Sequence, residues 1–370
     1  MADEIEREQR VDAGQLLELV QRIFERCGME PQDAALLAHT LVTADLRGVH
    51  SHGVLRVPEY VKRLTRDGVD PRGRPRVVRD EGACLVVDGG NSMGQIGASF
   101  AMEQAIARAA TTGIAAVAVR GSNHCGAMAY YAMQALPHDM IGLATTNALP
   151  TMAPWGGAER LLGINPLAVA IPAGEELPIV YDAAFSASSH GKIRLYLQKG
   201  LPIPEGWATT REGRPTTDPA EAIHGLLQPI GGFKGTALAM IMGILSCMLS
   251  GASFGTELGS LETGARPGQD GHFLAAIRIS AFEDVTRFKA RVDTLIRQVH
   301  ACQRAPGVER IHMPGEIEFL TEQAYRSNGI PLNDVTLADL RRACMELDLT
   351  PAAYTWLAGP GERGRADSVS

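Results

Sequence analysis

Apolar residues in the first 66 positions recur at helical spacing. Leu16, Leu17, Val20, Ile23 and Phe24 lie three or four residues apart, and Asp12 before them is a suitable N-terminal cap. EPQDAALLAHTLVTADLRG, which has a proline in its first turn, and VPEYVKRLTRDG follow with similar patterns. The chain therefore predicts three helices in this region.

From about residue 80 the pattern changes to short apolar runs that alternate with a helix. ACLVVDG, IAAVAVRG and MIGLATTN predict strands, and ASFAMEQAIARAATTG predicts a helix between the first two. This alternation favours a layered α/β domain. Residues 148–235 are rich in glycine and proline, which predicts a pocket built from backbone turns. GTALAMIMGILSCMLSGA is apolar on all sides and predicts a buried helix.

The closing segments are helical and amphipathic again. FEDVTRFKARVDTLIRQVHAC and TLADLRRACMELDL carry apolar stripes that a single helix cannot bury alone. We expect them to pack on the first helices. The resulting prediction is a discontinuous helical domain, 1–77 plus 284–370, with an α/β domain of mixed strands inserted at 78–283. The last twelve residues, GPGERGRADSVS, are expected to be disordered.

Composition narrows the class of protein. The 370 residues are 45% hydrophobic and 21% charged, with a net charge of −7, which argues against nucleic acid or an anionic membrane as a partner. The N-terminus is too polar for a signal peptide, and no apolar run is long enough to span a bilayer. Six scattered cysteines without a CxxC pair indicate reduced thiols in a cytoplasmic protein.

One glycine-rich motif resembles a dinucleotide fingerprint but does not match it. DGGNSMGQIG follows a predicted strand and precedes a predicted helix, yet its spacing is G-G-x-x-x-G-x-x-G and not G-x-G-x-x-G. We interpret it as a tight turn followed by close helix packing, in preference to a Rossmann site. A P-loop, GxxxxGK[ST], does not occur in the sequence.

The stretch LRGVHSHGVLR, residues 46–56, concentrates groups that could do chemistry. A metal site would need further ligands that the motif does not supply, so none is predicted. Imidazole exchanges protons near neutral pH, and guanidinium groups such as those of Arg47 and Arg56 bind carboxylates in a bidentate manner. Taken alone, however, the stretch is more typical of solvated or structurally satisfied histidines.

Two later motifs favour a functional role for these histidines and arginines over a purely structural one. His124 in RGSNHCGAMAYY follows a predicted strand directly, where α/β domains commonly place ligand-handling side chains. The adjacent Cys125 is a poor candidate nucleophile, because neighbours on a strand point to opposite faces. Lys234 in PIGGFKGTALAM stands among glycines at a helix start, an arrangement that favours an anionic group such as a diphosphate.

Six motifs together resemble one known family. RGVHSHGVLRVPEY, SNHCGAMAYYA, APWGGAERLLGINPLAVAIP, IPEGWATTREGRPTTDP, PIGGFKGTAL and MPGE occur in the order found in malate/L-lactate dehydrogenases of the second, non-Rossmann type. The resemblance covers about residues 13–350. That family includes ureidoglycolate and sulfolactate dehydrogenases, diketogulonate reductase and reductases of cyclic imino acids such as piperideine-2-carboxylate.

The resemblance implies the fold, cofactor and assembly. It implies a three-layer, mixed-sheet, non-Rossmann α/β domain that binds NAD or NADP, inserted in the helical domain. It also implies a homodimer whose active sites lie near the subunit interface. The expected reaction interconverts a 2-oxo or cyclic 2-imino carboxylate with its 2-hydroxy or ring 2-amino acid. We expect the site in a cleft between the two domains.

The same resemblance, together with the chemistry of the side chains at Arg47 and Leu149, assigns roles to individual positions. The residues expected in catalysis are His52, His124 and Ser51, with the histidines as proton donor or acceptor. The residues expected to line the substrate are Arg56 and Arg47, as carboxylate anchors, and Leu149, as an apolar wall. The residues expected at the cofactor are His124, Asp182, Ala183, Ala184, Phe185, Ser186, Ala187, Ser188, Lys234, Gly235, Arg291, Gly315, Glu316 and Ile317.

Departures from the family pattern cluster near these positions. Ala148 and Leu149 stand where many members have Thr-Ser, and His190 stands where an arginine commonly precedes GKI. Phe233 and Thr236 alter the usual surroundings of the lysine. They motivate an alternative hypothesis, in which the chain is a redox-inactive family member with a binding or non-redox biosynthetic role.

Overall fold

The computed structural model describes residues 8–260 and 263–357. The C-terminal tail that we expect to be disordered lies outside these residues. The helices are α1 (Ala13–Arg26), α2 (Pro31–Leu46), α3 (Val57–Thr65), α4 (Gly94–Thr112), α5 (Ala129–Met133), α6 (His190–Lys199), α7 (Pro219–Ala222), α8 (Phe233–Gly243), α9 (Val285–Ala301), α10 (Glu316–Asn328) and α11 (Asp334–Glu346). The α8 helix continues as a π-helical segment, Ile244–Met248.

The strands are short outside one large sheet. They are β1 (Glu8–Val11), β2 (Arg76–Glu81), β3 (Cys84–Asp88), β4 (Ile114–Ser122), β5 (Met140–Thr146), β6 (Pro150–Met152), β7 (Leu162–Gly163), β8 (Leu167–Ile171), β9 (Ile179–Ala183), β10 (Ala208–Thr209), β11 (Pro215–Thr216), β12 (Leu226–Leu227), β13 (Gly259–Ser260), β14 (Gly264–Ala265), β15 (Asp270–Arg278) and β16 (Ile330–Asn333).

The described residues form two compact units. The helical unit comprises 8–73 and 316–357, and the α/β unit comprises 74–315. In the helical unit, the side chain of Asp12 accepts a hydrogen bond from the Gln15 backbone N–H at 2.9 Å and caps α1. Proline at the first position of α2 needs no N–H donor there. The three helices predicted at the N-terminus are confirmed.

The last helix completes the core of the helical unit. α11 packs against α3, and its Leu337 and Leu340 are buried together with Phe24 and Tyr60. The β1 and β16 strands pair in an antiparallel ribbon that joins the two ends of the described chain within this unit. The expected packing of the final helix on the N-terminal ones is therefore confirmed.

The α/β unit is built on a seven-stranded mixed sheet of order β2-β3-β4-β15-β5-β8-β9. The β3 and β4 strands are parallel, and the other neighbours in this sheet are antiparallel. A Rossmann sheet is predominantly parallel, so the prediction of a mixed, non-Rossmann sheet is confirmed. Of these seven strands, β15 comes last in the chain but occupies the middle of the sheet.

A smaller five-stranded sheet, β11-β10-β12-β6-β7, organises the glycine- and proline-rich region. Its core includes Met152, Leu162, Phe185 and Ile193, each at most 5% exposed. Short strands and turns dominate because the glycines and prolines interrupt longer elements. This region carries most of the positions that we expect at the cofactor.

The DGGNSMGQIG motif forms a turn with close packing, as interpreted from its spacing. Gly90 has φ 64°, which favours glycine, and an added Cβ would lie 2.5 Å from the Arg74 carbonyl oxygen. At Gly94, in the first turn of α4, an added Cβ would overlap the carbonyl oxygen of Asn123. The glycines thus let the helix approach the strand end beside His124.

Two details of the sequence interpretation differ from the structure. The unit boundary at the C-terminal side falls at 315/316 and not at 283/284, because α9 is anchored to the α/β unit. Its Asp293 carboxylate accepts hydrogen bonds of 2.9 to 3.2 Å from three consecutive backbone N–H groups, those of Gly174, Glu175 and Glu176. An amphipathic stripe alone does not indicate which of two units will cover it.

The apolar helix predicted to be buried is only half covered in the single chain. Gly235, Ala239 and Met242 of α8 face the core. Its opposite side is exposed, and we call the following residues the α8 apolar face: Phe233, Leu238, Met240, Ile241, Ile244, Met248 and Leu249. The prediction of a fully buried helix is therefore wrong for the isolated chain.

Candidate active site

A buried carboxylate shapes the turn that carries the paired histidines. Asp45, at the end of α2, accepts hydrogen bonds from His50 Nδ1 and from the Val54 backbone N–H, both at 2.7 Å. An added Cβ on Gly53 would overlap this carboxylate, so only glycine fits there. Burial raises the pKa of Asp45, and the two donors oppose that rise. The Asp45 side chain alone therefore fixes both ends of this turn by hydrogen bonds.

Ser51, His52 and Arg56 are brought together on this turn. Ser51 Oγ lies 3.0 Å from His52 Nδ1, and Arg56 Nε donates to the Ser51 carbonyl oxygen at 2.9 Å. Ser51 is exposed, and the other two side chains are half-buried. Burial, aided by the positive charge of Arg56, lowers the pKa of His52 to about 4. His52 is consequently neutral near pH 7.

The two arginines that flank the turn have different surroundings. Arg56 pairs with Glu59 at 2.8 Å while a third of its side chain stays exposed. The Arg47 side chain is only 5% exposed, lies 3.4 Å from the Glu322 carboxylate and stacks over the Phe319 ring at 4.4 Å. Arg56 can reach a carboxylate from solvent. Arg47 is placed as a structural residue of the helical unit.

In the α/β unit, His124 follows β4 on a firmly held loop. The neighbouring Asn123 is buried, and its amide donates to Asn91 Oδ1 at 3.1 Å and to the Ser92 carbonyl oxygen at 2.8 Å. Its Oδ1 accepts from the Gly268 N–H at 3.0 Å. His124 itself is half-buried. The loop backbone is therefore fixed while the imidazole keeps access to solvent.

Hydrogen bonds join the expected cofactor segments to this loop and to each other. Asp182 Oδ2 accepts from the Ala129 N–H at 2.8 Å, which ties the end of β9 to the start of α5. The Ile230 N–H donates to the Phe185 carbonyl oxygen at 2.9 Å. An added Cβ on Gly235 would overlap the Ile230 carbonyl oxygen. Residues 182–188 thus lie between the His124 loop and the start of α8.

The side chains of this segment point in different directions. Ala183 and Ala184 are half-buried. Phe185 is 3% exposed and belongs to the core of the small sheet, so only its backbone is available to a ligand. Ser186 Oγ donates to the Ser188 carbonyl oxygen at 2.6 Å. The Ala187 N–H donates to the Gln228 carbonyl oxygen at 2.7 Å.

The remaining expected cofactor positions are distributed over both units. Gly315 has φ 84° and packs on β9, where the Val180 N–H donates to the Pro314 carbonyl oxygen at 2.9 Å. Arg291 is exposed on α9, in the α/β unit. The expected positions Glu316, which is buried, and Ile317, which is exposed, begin α10 of the helical unit.

Leu149 lies half-buried on the loop after β5. Asn165, with φ 32°, accepts from the Ala148 N–H at 3.0 Å and donates to the Ala239 carbonyl oxygen of α8 at 2.8 Å. One amide therefore ties the Leu149 loop to α8, the helix that carries Lys234 in its first turn. Lys234 is exposed.

Sequence interpretation missed one buried histidine. His272, in β15, is 0% exposed and lies 2.8 Å from both Ser122 Oγ and Thr146 Oγ1. The signal was a histidine within the largely apolar strand DGHFLAAIR. Burial lowers its pKa to about 4. Burial also raises the pKa of Cys125, which is the opposite of what a thiolate nucleophile requires.

Across 8–260 and 263–357, no group of three or more His, Cys, Asp or Glu side chains is arranged to hold a metal ion. In the same residues, no helix combines the length and apolar character needed to cross a bilayer.

Comparison with solved structures defines the class. The sulfolactate dehydrogenase of Methanocaldococcus jannaschii aligns with a TM-score of 0.88 at 34% identity, covering 94% of this chain and 100% of that one. The fold is therefore that of a non-Rossmann dehydrogenase. The chain belongs to the malate/L-lactate dehydrogenase family, whose sequence model matches residues 11–341.

Two relatives show the range of that family. A malate dehydrogenase of Pyrococcus horikoshii is 38% identical over 339 residues, which are 90% of this chain and 93% of that protein. A Δ1-pyrroline-2-carboxylate/Δ1-piperideine-2-carboxylate reductase of Pseudomonas putida is 33% identical, covering 90% and 96%. This chain is accordingly an NAD(P)-dependent dehydrogenase or reductase.

Proposed function

We propose that the chain reversibly reduces C2 of a 2-oxo or cyclic 2-imino carboxylate with NADH or NADPH. The product is the 2-hydroxy or ring 2-amino acid. The observation that carries this proposal is the turn at 50–56, where Ser51, His52 and Arg56 are linked by hydrogen bonds. A partly exposed guanidinium beside a neutral imidazole supplies an anchor for the carboxylate and a group that exchanges a proton.

The start of α8 fits the anionic part of a dinucleotide. Gly231 and Gly232, at φ 61° and 65°, turn the chain into an 11-residue helix, and space beside Gly231 is open. A helix N-terminus attracts negative charge, and the exposed Lys234 adds to that field. When bound, the nicotinamide supplies or accepts the hydride. We assign the binding of the whole dinucleotide to residues 182–188, 234–235, 291 and 315–317, together with His124.

The proton belongs to His52 or His124 in this proposal. In the oxidation direction the neutral His52 is ready to accept a proton from the substrate hydroxyl. In the reduction direction a bound carboxylate would offset the charge of Arg56, which is one of the two causes of the lowered pKa. The bound carboxylate would therefore oppose the smaller of the two causes of the lowered pKa, and its negative charge favours the protonated imidazole that donates.

Turnover of single variants tests these assignments. We expect His52→Ala and His124→Ala each to lower kcat by about 100- to 10,000-fold, measured at 340 nm with a panel of 2-oxo acids. The exposed His138→Asn is the matched control. If both alanine variants keep wild-type turnover, the proton assignment is wrong. Calorimetric titration with NADH and NADPH chooses between the cofactors, and binding of neither would overturn the proposed function.

The choice between keto acids and cyclic imines rests on the Leu149 wall. A ring imine is protonated near neutral pH and needs an apolar surface for its methylene groups, which Leu149 offers. The Pseudomonas putida relative is named for two such substrates. We give open-chain keto acids and cyclic imines equal weight as substrates. Comparing the turnover of pyruvate and oxaloacetate with that of pyrroline- and piperideine-2-carboxylate separates the two substrate classes. Turnover of the open-chain acids alone contradicts the hypothesis of a cyclic imine substrate.

We further propose that the enzyme is a cytoplasmic homodimer. All six cysteines are free, a state that reducing compartments maintain. The α8 apolar face supports the dimer, since contiguous exposed apolar surface commonly marks an interface. A two-fold axis beside α8 would bury this face against its copy. The interface would then adjoin Lys234.

A further inference from the structure

His272 lies in the middle of the seven-stranded sheet, between the two strands whose ends carry loops of the proposed site. Its strand, β15, pairs with β4 on one side and β5 on the other. Ser122 ends β4, two residues before His124. Thr146 ends β5, three residues before Leu149. A side chain that bridges these ends therefore acts on both loops.

The hydrogen bonds of His272 define its tautomer. Thr146 Oγ1 lies 2.8 Å from Nδ1 and 3.2 Å from the carbonyl oxygens of Asn147 and Gly271. A carbonyl can only accept, so we assign the single hydroxyl proton of Thr146 to one of these carbonyls and let Thr146 Oγ1 accept from Nδ1–H. Nε2 then accepts from the Ser122 hydroxyl at 2.8 Å. The ring is neutral, with its proton on Nδ1.

Further bonds extend this bridge into both loops. Cys125 Sγ lies 3.7 Å from the same Nδ1, and the Tyr131 hydroxyl donates to the Cys125 carbonyl oxygen. On the other side, Asn147 accepts from the Gly271 N–H at 3.2 Å and donates to the Ser253 carbonyl oxygen at 3.1 Å. Burial lowers the pKa of His272 to about 4, so the ring is neutral near pH 7.

We infer that His272 is a positioning residue for the proposed reaction, fixing the spacing between the His124 loop and the Leu149 loop. The inference rests on the proposed function. Neutral hydrogen bonds of 2.8 Å on both ring nitrogens constrain the two strand ends in distance and in orientation. Hydride transfer is sensitive to such alignment, because a misplacement of about 1 Å can cost about 100-fold in rate.

The test uses variants that remove one or both bonds. His272→Leu removes both bonds of the ring, and His272→Asn retains a donor towards Thr146. Ser122→Ala and Thr146→Val each remove one of the two bonds to the ring and leave the histidine in place. We expect kcat to fall about tenfold to 100-fold in His272→Leu and less in the other three. The affinity for the reduced cofactor, measured by titration, should stay at the wild-type value.

The decisive readout is the isotope effect with C4-deuterated cofactor. A misaligned site slows the hydride step itself, so the isotope effect on kcat should rise in the variants. A role limited to folding would lower the active fraction and leave the isotope effect and KM unchanged, and that result would overturn the inference. If His272→Leu fails to fold, Ser122→Ala and Thr146→Val still give the readout. The exposed His138→Asn is the control.

Failure of the two proposals is distinguishable. Wild-type protein that neither binds NADH or NADPH nor turns over any acid of the panel overturns the proposed function, and the positioning role with it. Wild-type turnover with undiminished kcat in all four variants overturns the positioning role alone.

Discussion

At the scale of single residues, burial separates two arginines that the sequence presents alike. Arg47 and Arg56 flank the same histidine turn, and both have the chemistry to bind a carboxylate. Arg47 is enclosed by an aromatic ring and a carboxylate of α10, whereas Arg56 keeps part of its guanidinium in solvent. Their substitutions should therefore have separable effects.

We expect Arg56→Gln to raise KM for the carboxylate substrate at least tenfold, because the anchor is lost while the fold is kept. Arg47→Gln should leave KM near wild type and lower the free energy of unfolding by about 1–3 kcal/mol, because the shorter neutral side chain loses its packing on the Phe319 ring and its ion pair with Glu322, which keeps Arg326 as a partner. Steady-state kinetics and denaturant unfolding measure the two effects. A large KM effect from Arg47→Gln would restore its role as an anchor.

The sequence predicted local associations of residues better than distant ones. Ser51, His52 and Arg56 lie within six positions, so a motif can place them on one turn. The partners of Arg47 are about 270 residues away in the chain, and nothing in the motif indicates them. His272 was missed for the same reason, because both hydroxyls that it contacts come from other strands.

At the scale of elements, the close approach of α4 to β4 supports the loop of His124. We expect Gly94→Ala to destabilise the fold by about 1–3 kcal/mol and to lower kcat, because its Cβ would overlap the Asn123 carbonyl oxygen and displace the loop. Gly191→Ala in α6 is the matched control, since its nearest neighbour, Ser189 Oγ, is 3.8 Å away.

The control should be neutral or stabilising by up to about 1 kcal/mol, as expected for alanine in place of glycine in a helix. Thermal unfolding and turnover at saturating substrate measure both variants. If Gly94→Ala matches its control in both, the packing of α4 does not support the loop.

Capping residues and periodicity predicted the N-terminal helices well, because these signals are local. The position of β15 could not be predicted, since it depends on pairing with β4 and β5, more than 120 residues earlier. The allocation of α9 was missed because it depends on Asp293 meeting a distant turn of backbone N–H groups. Long-range pairing leaves little trace in local patterns.

At the scale of the whole molecule, the α8 apolar face is the clearest feature that a single chain leaves uncovered. If the proposed dimer forms through this face, Ile241→Glu should yield a monomer, because a charge would be buried in the proposed interface. Light scattering coupled to size-exclusion chromatography measures the mass. Val335→Glu, an equally drastic change at a position 61% exposed on α11, should keep the wild-type mass.

A monomeric wild-type protein would contradict the dimer proposal. A dimeric Ile241→Glu protein would move the interface away from α8. The sequence indicated an apolar helix here but could not show whether its own chain or a second one covers it.

The central place of β15 has a consequence for biosynthesis. During translation, β4 and β5 leave the ribosome well before residues 270–278, the strand that pairs with both of them. Until then each carries an unsatisfied edge, the kind of surface that recruits other chains. The helical unit likewise cannot be completed until residues 316–357 have been synthesised. Neither unit can therefore finish folding before the segment that completes it has been synthesised, and the β4 and β5 edges stay open to pairing with other chains until residues 270–278 emerge.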